Sequence, residues 1–271
     1  MNDDARTAMT AMTAKRQALY AKGLAALSAS GVPFLVGGGF ALWAYLGPCR
    51  PTKDLDVFVR KQDVDAALAA LAAAGFTVER TDPAWLGKAT APIEGAPPGE
   101  PPALIDVIFC SYNGLFPVDD AWLANGRAAE VLGIPVRVVG PEEMLVSKCF
   151  VAARDRFDGG DISSVIRALG PQMNWGRVET LMRDHFEVLL LQLVHFFYVF
   201  PTEAQVVPRD LVARLLARLR RSLAARHAPV EDRGDLLDPK RYREQPPLPE
   251  DAAAIASLCD ECAGLPGVSR A

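Results

Sequence analysis

Asp54, Asp56 and Asp106 are the residues whose type and spacing could do chemistry in this 271-residue chain. Asp54-Leu55-Asp56 opens the apolar run Leu55-Asp56-Val57-Phe58-Val59, and Asp106 sits inside Leu104-Ile105-Asp106-Val107-Ile108-Phe109. An Asp-x-Asp pair on a strand projects both carboxylates from one face, because side chains there alternate with a period of two. A third Asp between strand-forming residues can reach the same point from a neighbouring strand. Three carboxylates converging in an apolar setting are costly unless a cation lies between them. Mg²⁺ suits oxygen ligands and phosphate substrates and is the expected cation. Upstream, Val36-Gly37-Gly38-Gly39-Phe40-Ala41 supplies a glycine turn.

The elements that must position these residues follow from pattern. Residues 13–30 have helical spacing of Leu19, Leu24 and Leu27 and lead into an apolar strand at 34–36. A short helix is expected over 40–46, ended by Gly47-Pro48, then a loop over 50–53 ahead of the Asp-x-Asp strand. A helix over 62–74 and a strand over 76–80 come next. Residues 91–102 are dense in Pro and Gly and predict a mobile surface loop. Strands at 129–132 and 135–138 close a region that alternates strands and helices, either α/β or α+β.

After Gly140 the pattern becomes helical. Pro141-Glu142-Glu143 is a helix-start signal, with helices expected over 141–156, 162–169, 176–186, 188–199 and 208–225. The divided reading is a first domain over 1–140 and a helical second domain over 141–271. An irregular tail at 227–249 and a last helix at 250–262 complete that second domain. Phe196, Phe197, Tyr198 and Phe200 are read as helix-packing core, and His195 as a satisfied core histidine.

Composition narrows the function. The chain has 29 Lys+Arg against 33 Asp+Glu, a net charge of −4 that argues against general DNA or RNA binding. The acidic N-terminus lacks the pattern of a secretory signal, and the most apolar segment, 188–200, is too short to span a bilayer. A cytosolic, soluble protein with no membrane partner is expected. Five scattered cysteines fit a reducing compartment. Cys259-x-x-Cys262 has no second pair or nearby His to complete a tetrahedral site and is read as two ordinary cysteines.

The order strand, glycine turn, helix, loop, Asp-x-Asp strand, separate single-Asp strand resembles the DNA polymerase beta-like nucleotidyltransferase superfamily. Residues 36–59 are similar in particular to its small bacterial members, with Arg50-x-Thr52-x-Asp54-x-Asp56 after the glycines. That group includes antibiotic nucleotidyltransferases and toxin-type enzymes. The resemblance covers 33–109 and, more weakly, 141–169. It implies an α+β fold, a mixed β-sheet with flanking helices followed by a helical C-terminal region. It further implies that Asp54 and Asp56 hold Mg²⁺ against a nucleoside triphosphate, and that Asp106 completes the second metal site and orients or deprotonates the attacking hydroxyl. Gly37, Gly38 and Gly39 would approach the β- and γ-phosphates, and Thr52 would donate to a phosphate oxygen, with Arg50 and Lys53 adding charge.

Many members have Gly-Ser where this chain has glycines alone, and the segment between Gly39 and Asp54 is slightly longer than the commonest spacing. Residues 141–148 resemble the segment that carries a lysine on the helix after the catalytic sheet. On that resemblance Lys148 contacts the triphosphate or base; on its own pattern it lies on a solvated helix face. Asp158-Gly159-Gly160-Asp161 reads as an N-cap for the next helix. Three functions are open. The first is transfer of a nucleoside monophosphate, from ATP or another NTP, to a hydroxyl on a small molecule, RNA end or protein, releasing pyrophosphate. The second is a toxin acting on tRNA or another translation component, and the third a nucleotide-binding regulatory module that has lost transfer.

Overall fold

The structure, a computed structural model, describes residues 12–153, 156–224 and 234–237. The chain divides into two compact units with the boundary between Met144 and Leu145.

The first unit is α+β. Helix α1 (Ala14–Ser30) is capped at its start by the Thr13 hydroxyl, which accepts from the Arg16 N–H, and ends at Gly31 with φ +73°. Strand β1 (Leu35–Val36) and helix α2 (Gly38–Leu46) follow, then β2 (Leu55–Phe58), α3 (Val64–Ala73), β3 (Thr77–Asp82), β4 (Leu86–Ala91) and β5 (Ala103–Ile108). A short helix α4 (Asp120–Asn125) and the hairpin β6 (Arg127–Val131) and β7 (Ile134–Val138) complete it. Among the described residues the strands form one mixed sheet in the order β3-β4-β5-β2-β1-β7-β6. β2 runs parallel to β5, and β1 parallel to β7; the other neighbours are antiparallel.

Alternation along the central strands separates a buried core face from a half-buried opposite face. Leu55 and Val57 of β2, Ile105 and Val107 of β5, and Ala89 of β4 are fully buried. The same core holds Leu24 and Leu27 of α1 and Leu68 and Leu71 of α3. α1 comes so close to β5 that a Cβ on Gly23 would overlap the Ile105 side chain. The intervening residues Asp56, Lys88 and Asp106 are only half-buried and share the opposite face.

The second unit is helical among its described residues. Helix α5 (Pro141–Cys149) crosses the boundary, and α6 (Gly159–Leu169), α7 (Trp175–Met182), α8 (Phe186–Val199) and α9 (Arg209–Ala224) follow. Ile162, Val165, Val178, Leu189, Leu193, Phe196 and Leu211 make its core.

Several expectations are corrected. β4 went unread because in Leu86-Gly87-Lys88-Ala89-Thr90-Ala91 only Thr90 has a strong strand preference. Residues 91–102 do form a loop, but Arg16 anchors it, donating to the carbonyls of Pro101 at 2.7 Å and Pro102 at 3.0 Å and pairing with Glu100 at 3.1 Å. α5 stops at Cys149, well short of 156, and the buried Gln192 amide donates to the terminal Cys149 carbonyl at 3.0 Å. α7 ends at Met182 because Arg183 adopts φ +51°. Tyr198 is 87% exposed and is no core residue; on α8 it lies on the face of Leu191 and Val194, both more than half exposed. His195 is half-buried and lies 3.2 Å from the Ser163 hydroxyl. The irregular tail at 227–249, apart from 234–237, and the helix at 250–262 with Cys259 and Cys262 lie outside the described residues.

Candidate active site

The site is a row across the sheet. Asp56 of β2 stands in register with Asp106 of β5, so the two carboxylates leave neighbouring parallel strands on one face. Strands are about 4.8 Å apart, which puts these like charges side by side. The next strand places Lys88 opposite Asp106, and the strand beyond places Glu79 opposite Lys88. Asp54 lies one residue before β2 and, two positions from Asp56, continues that face.

The glycine turn closes over the other side of Asp56. Gly37 donates its N–H to the Asp56 carbonyl at 2.9 Å, and its successor Gly38 has φ +52° and opens α2. α2 therefore begins two residues earlier than its expected start at Phe40. A Cβ on Gly38 would overlap the Asp56 carboxylate, and one on Gly39 would overlap the Thr52 hydroxyl. Glycine is required at both positions for close approach, and at Gly38 for its left-handed backbone as well. The first intrahelical bond runs from Ala41 N–H to Gly37 carbonyl, so the N–H groups of Gly38, Gly39 and Phe40 have no partner within the helix. These donors, at the positive end of a helix dipole, make an anion-binding edge beside the acids.

The loop carrying Asp54 is pinned at both ends. Tyr20 donates its hydroxyl to the Lys53 carbonyl at 2.6 Å and accepts from the Leu104 N–H at 3.4 Å, so one buried ring ties the entry of β2 to that of β5. Burial pushes the Tyr20 phenol above its ordinary value, with the nearby Asp54 charge adding to the shift, so it serves as a neutral hydrogen-bonding post. Trp43 donates to the Arg50 carbonyl at 2.8 Å, and its ring lies edge-on to Phe40, which in turn meets Tyr20. Thr52 is buried, and its hydroxyl lies 3.2 Å from the Asp54 carbonyl and 3.4 Å from Asp54 Oδ1. It orients Asp54 directly. Arg50 donates to the Pro51 carbonyl, and Lys53 is exposed.

Lys148 belongs to the second unit. It is 8% exposed, and its ammonium donates to Asp158 Oδ2 at 2.8 Å and Asp161 Oδ2 at 2.7 Å. The solvated-face reading of this lysine is thereby corrected. Asp158 does occupy the N-cap position of α6, but its side chain makes no capping bond, because one of its oxygens serves Lys148. Cys149, the next residue, is fully buried, and burial pushes its thiol up to about 12, so it has no thiolate to offer a reaction near neutral pH.

Sequence reasoning missed Tyr20, Trp43 and Lys88. No local signal could have found Tyr20, whose partners lie 33 and 84 residues away. Lys88 was missed with its strand.

Among the described residues no group of three or more His, Cys, Asp or Glu side chains is placed so that it could hold a metal ion. The donor set is nonetheless one of hard carboxylate oxygens on a single face, and the missing Cβ at Gly38 lets the Asp56 carboxylate pack directly against the glycine turn. That chemistry fits Mg²⁺.

A model of the family described as uncharacterised nucleotidyltransferase matches residues 4–197. The chain belongs to this nucleotidyltransferase family. No curated protein matches it. Similar solved structures include the antibiotic-resistance factor ANT(2'')-Ia, 22% identical over 69% of this chain and 99% of that one, with a TM-score of 0.45. A nucleotidyltransferase-like protein from Paracoccidioides brasiliensis is 16% identical over 72% of this chain and 95% of its own, TM-score 0.45. JHP933 from Helicobacter pylori is 13% identical over 83% and 98%, TM-score 0.44. These distant likenesses carry no inference about acceptor or chemistry. Among the described residues no helix is long and apolar enough to cross a membrane.

Proposed function

We propose that the protein transfers a nucleoside monophosphate from an NTP to a hydroxyl acceptor. The observation that supports this best is the pairing of Asp56 with Asp106 across β2 and β5, under a glycine turn whose Gly38 has no room for a side chain.

On this reading the free N–H groups at the start of α2, from Gly38 and Gly39, bind the triphosphate, and Gly37 fixes the turn to β2. Thr52 holds Asp54 in place and competes for any phosphate oxygen with its own bond to that residue. Asp54, Asp56 and Asp106 would hold Mg²⁺, which when bound neutralises phosphate charge and eases loss of the acceptor proton. The acceptor oxygen forms a bond to the α-phosphorus as the bond to the bridging oxygen of the β-phosphate breaks. Pyrophosphate leaves on the glycine side, and an Asp106 oxygen takes the hydroxyl proton. Two carboxylates side by side on neighbouring strands repel one another, and a cation between them would relieve that repulsion.

The test is Mg²⁺-dependent transfer of label from each α-³²P NTP into small-molecule, RNA and protein fractions of a cell extract, beside Asp56→Ala. Label that disappears in the variant is the expected result. NTP binding without transfer would favour the regulatory module, and label confined to tRNA, with growth arrest on expression, the toxin.

A further inference from the structure

Lys88 stands where the function just described leaves a role unfilled. It is half-buried on the functional face of β4, directly across from Asp106 on one side and Glu79 on the other. Flanked by two acids, it would ordinarily be a cross-strand salt-bridge residue. It is not one. Among the described residues its ammonium makes no hydrogen bond or ion pair, and the Glu79 carboxylate instead accepts from the Thr81 hydroxyl at 3.0 Å. Lys148 shows the opposite case, a buried ammonium saturated by two carboxylates.

The order of strands says which substrate Lys88 serves. The row runs from the glycine turn beside β1, through Asp56 on β2 and Asp106 on β5, to Lys88 on β4. At about 4.8 Å per strand Lys88 is roughly 10 Å from the Asp56 strand and farther still from the phosphate-binding N–H groups. Asp106 lies between them, at the place of the attacking hydroxyl. Lys88 is therefore on the acceptor side. Near it the face offers the hydroxyls of Thr90 and Thr77, which pair across β4 and β3, and no aromatic platform from these strands.

We propose that Lys88 is a specificity-determining residue that binds an anionic group, a phosphate or carboxylate, carried by the acceptor near its reacting hydroxyl. The inference rests on the transferase reading. A lysine ammonium is a compact point charge suited to such a group. The same cation repels an amine-bearing acceptor, so the face selects by exclusion as well as by attraction.

The experiment compares wild type, Lys88→Ala, Lys88→Arg and Asp56→Ala, each first checked for an unchanged circular dichroism spectrum. Binding of an α,β-methylene NTP analogue with Mg²⁺ is measured alongside label transfer in the extract. Transfer is then challenged with ribose 5-phosphate, ribose and glucosamine as competitors. Lys88→Ala is expected to bind the analogue within about twofold of wild type and to lose more than tenfold in transfer, with Lys88→Arg restoring part of it. Ribose 5-phosphate should inhibit the wild type at least fivefold more strongly than ribose or glucosamine, and that preference should vanish in Lys88→Ala. A loss of analogue binding in Lys88→Ala would assign the residue to the nucleotide and overturn the proposal, as would equal inhibition by all three sugars in the wild type. Analogue binding or transfer that is absent in the wild type, or indifferent to Asp56→Ala, would instead overturn the transferase reading and the proposal with it.

Discussion

Two groups of carboxylates in this molecule are built on opposite principles. In the second unit Asp158 and Asp161 share one buried lysine at 2.8 and 2.7 Å, a closed arrangement in which three charges answer one another. In the first unit Asp56 and Asp106 stand side by side on parallel strands, and Lys88 beside them makes no ion pair among the described residues. The first arrangement holds a fold together, since removing the cation would leave two desolvated anions. The second is a pair of like charges on adjacent strands, which a bound cation would neutralise. Like charges set side by side on one half-buried face mark a candidate ligand site.

The largest effect that would break this comparison is at Gly38. Gly38→Ala puts a methyl group into the Asp56 carboxylate and strains a backbone at φ +52°. It should abolish nucleotide binding and transfer and cost about 1–3 kcal/mol of stability; binding by calorimetry and unfolding in urea would show both. Normal binding in this variant would mean that the turn does not touch the nucleotide.

Lys148→Met comes next. It should cost about 1–3 kcal/mol, because two partly buried carboxylates lose the lysine they share, and the loss should be largely restored in Lys148→Met/Asp158→Asn/Asp161→Asn. Chemical denaturation measures this. The triple variant also separates structure from function at Lys148: nucleotide affinity equal to wild type confines the residue to the fold, and a fall of tenfold or more would give it a nucleotide contact. A smaller effect is expected from Tyr20→Phe, which removes one hydroxyl from the Lys53 carbonyl and should cost about 1 kcal/mol. If the pinning matters for Asp54, transfer should fall more than stability does.

The legible part of this architecture was the part written locally. Asp56 and Asp106 could be placed on strands, with Asp54 at the edge of the first, because their apolar neighbours announce a half-buried strand, and the glycine turn announced itself by composition. Their meeting point depends on β2 pairing with β5 some 50 residues later, which only the motif order suggested. β4 was illegible because alanine, glycine and lysine give no strand signal. It becomes a strand through its neighbours β3 and β5, a tertiary effect that overrides propensity. Lys88 vanished from view with it. At Lys148 the acids 10 and 13 residues downstream were visible, but the stop of α5 at Cys149 that turns the chain back towards it was not. Tyr198 misled because an apolar helix was read as buried all round, whereas Leu191, Val194 and Tyr198 form an exposed stripe.

The most direct test of the central claim is the thermal unfolding midpoint of Asp106→Asn beside wild type, each with and without Mg²⁺. If the paired sheet acids exist for a ligand and not for the fold, the variant should melt at or above the wild-type temperature in the absence of metal. Mg²⁺ should then raise the wild-type midpoint by several degrees and leave the variant unmoved. A variant that melts several degrees lower without metal, together with a wild type indifferent to Mg²⁺, would show that Asp106 is a structural residue and contradict the account.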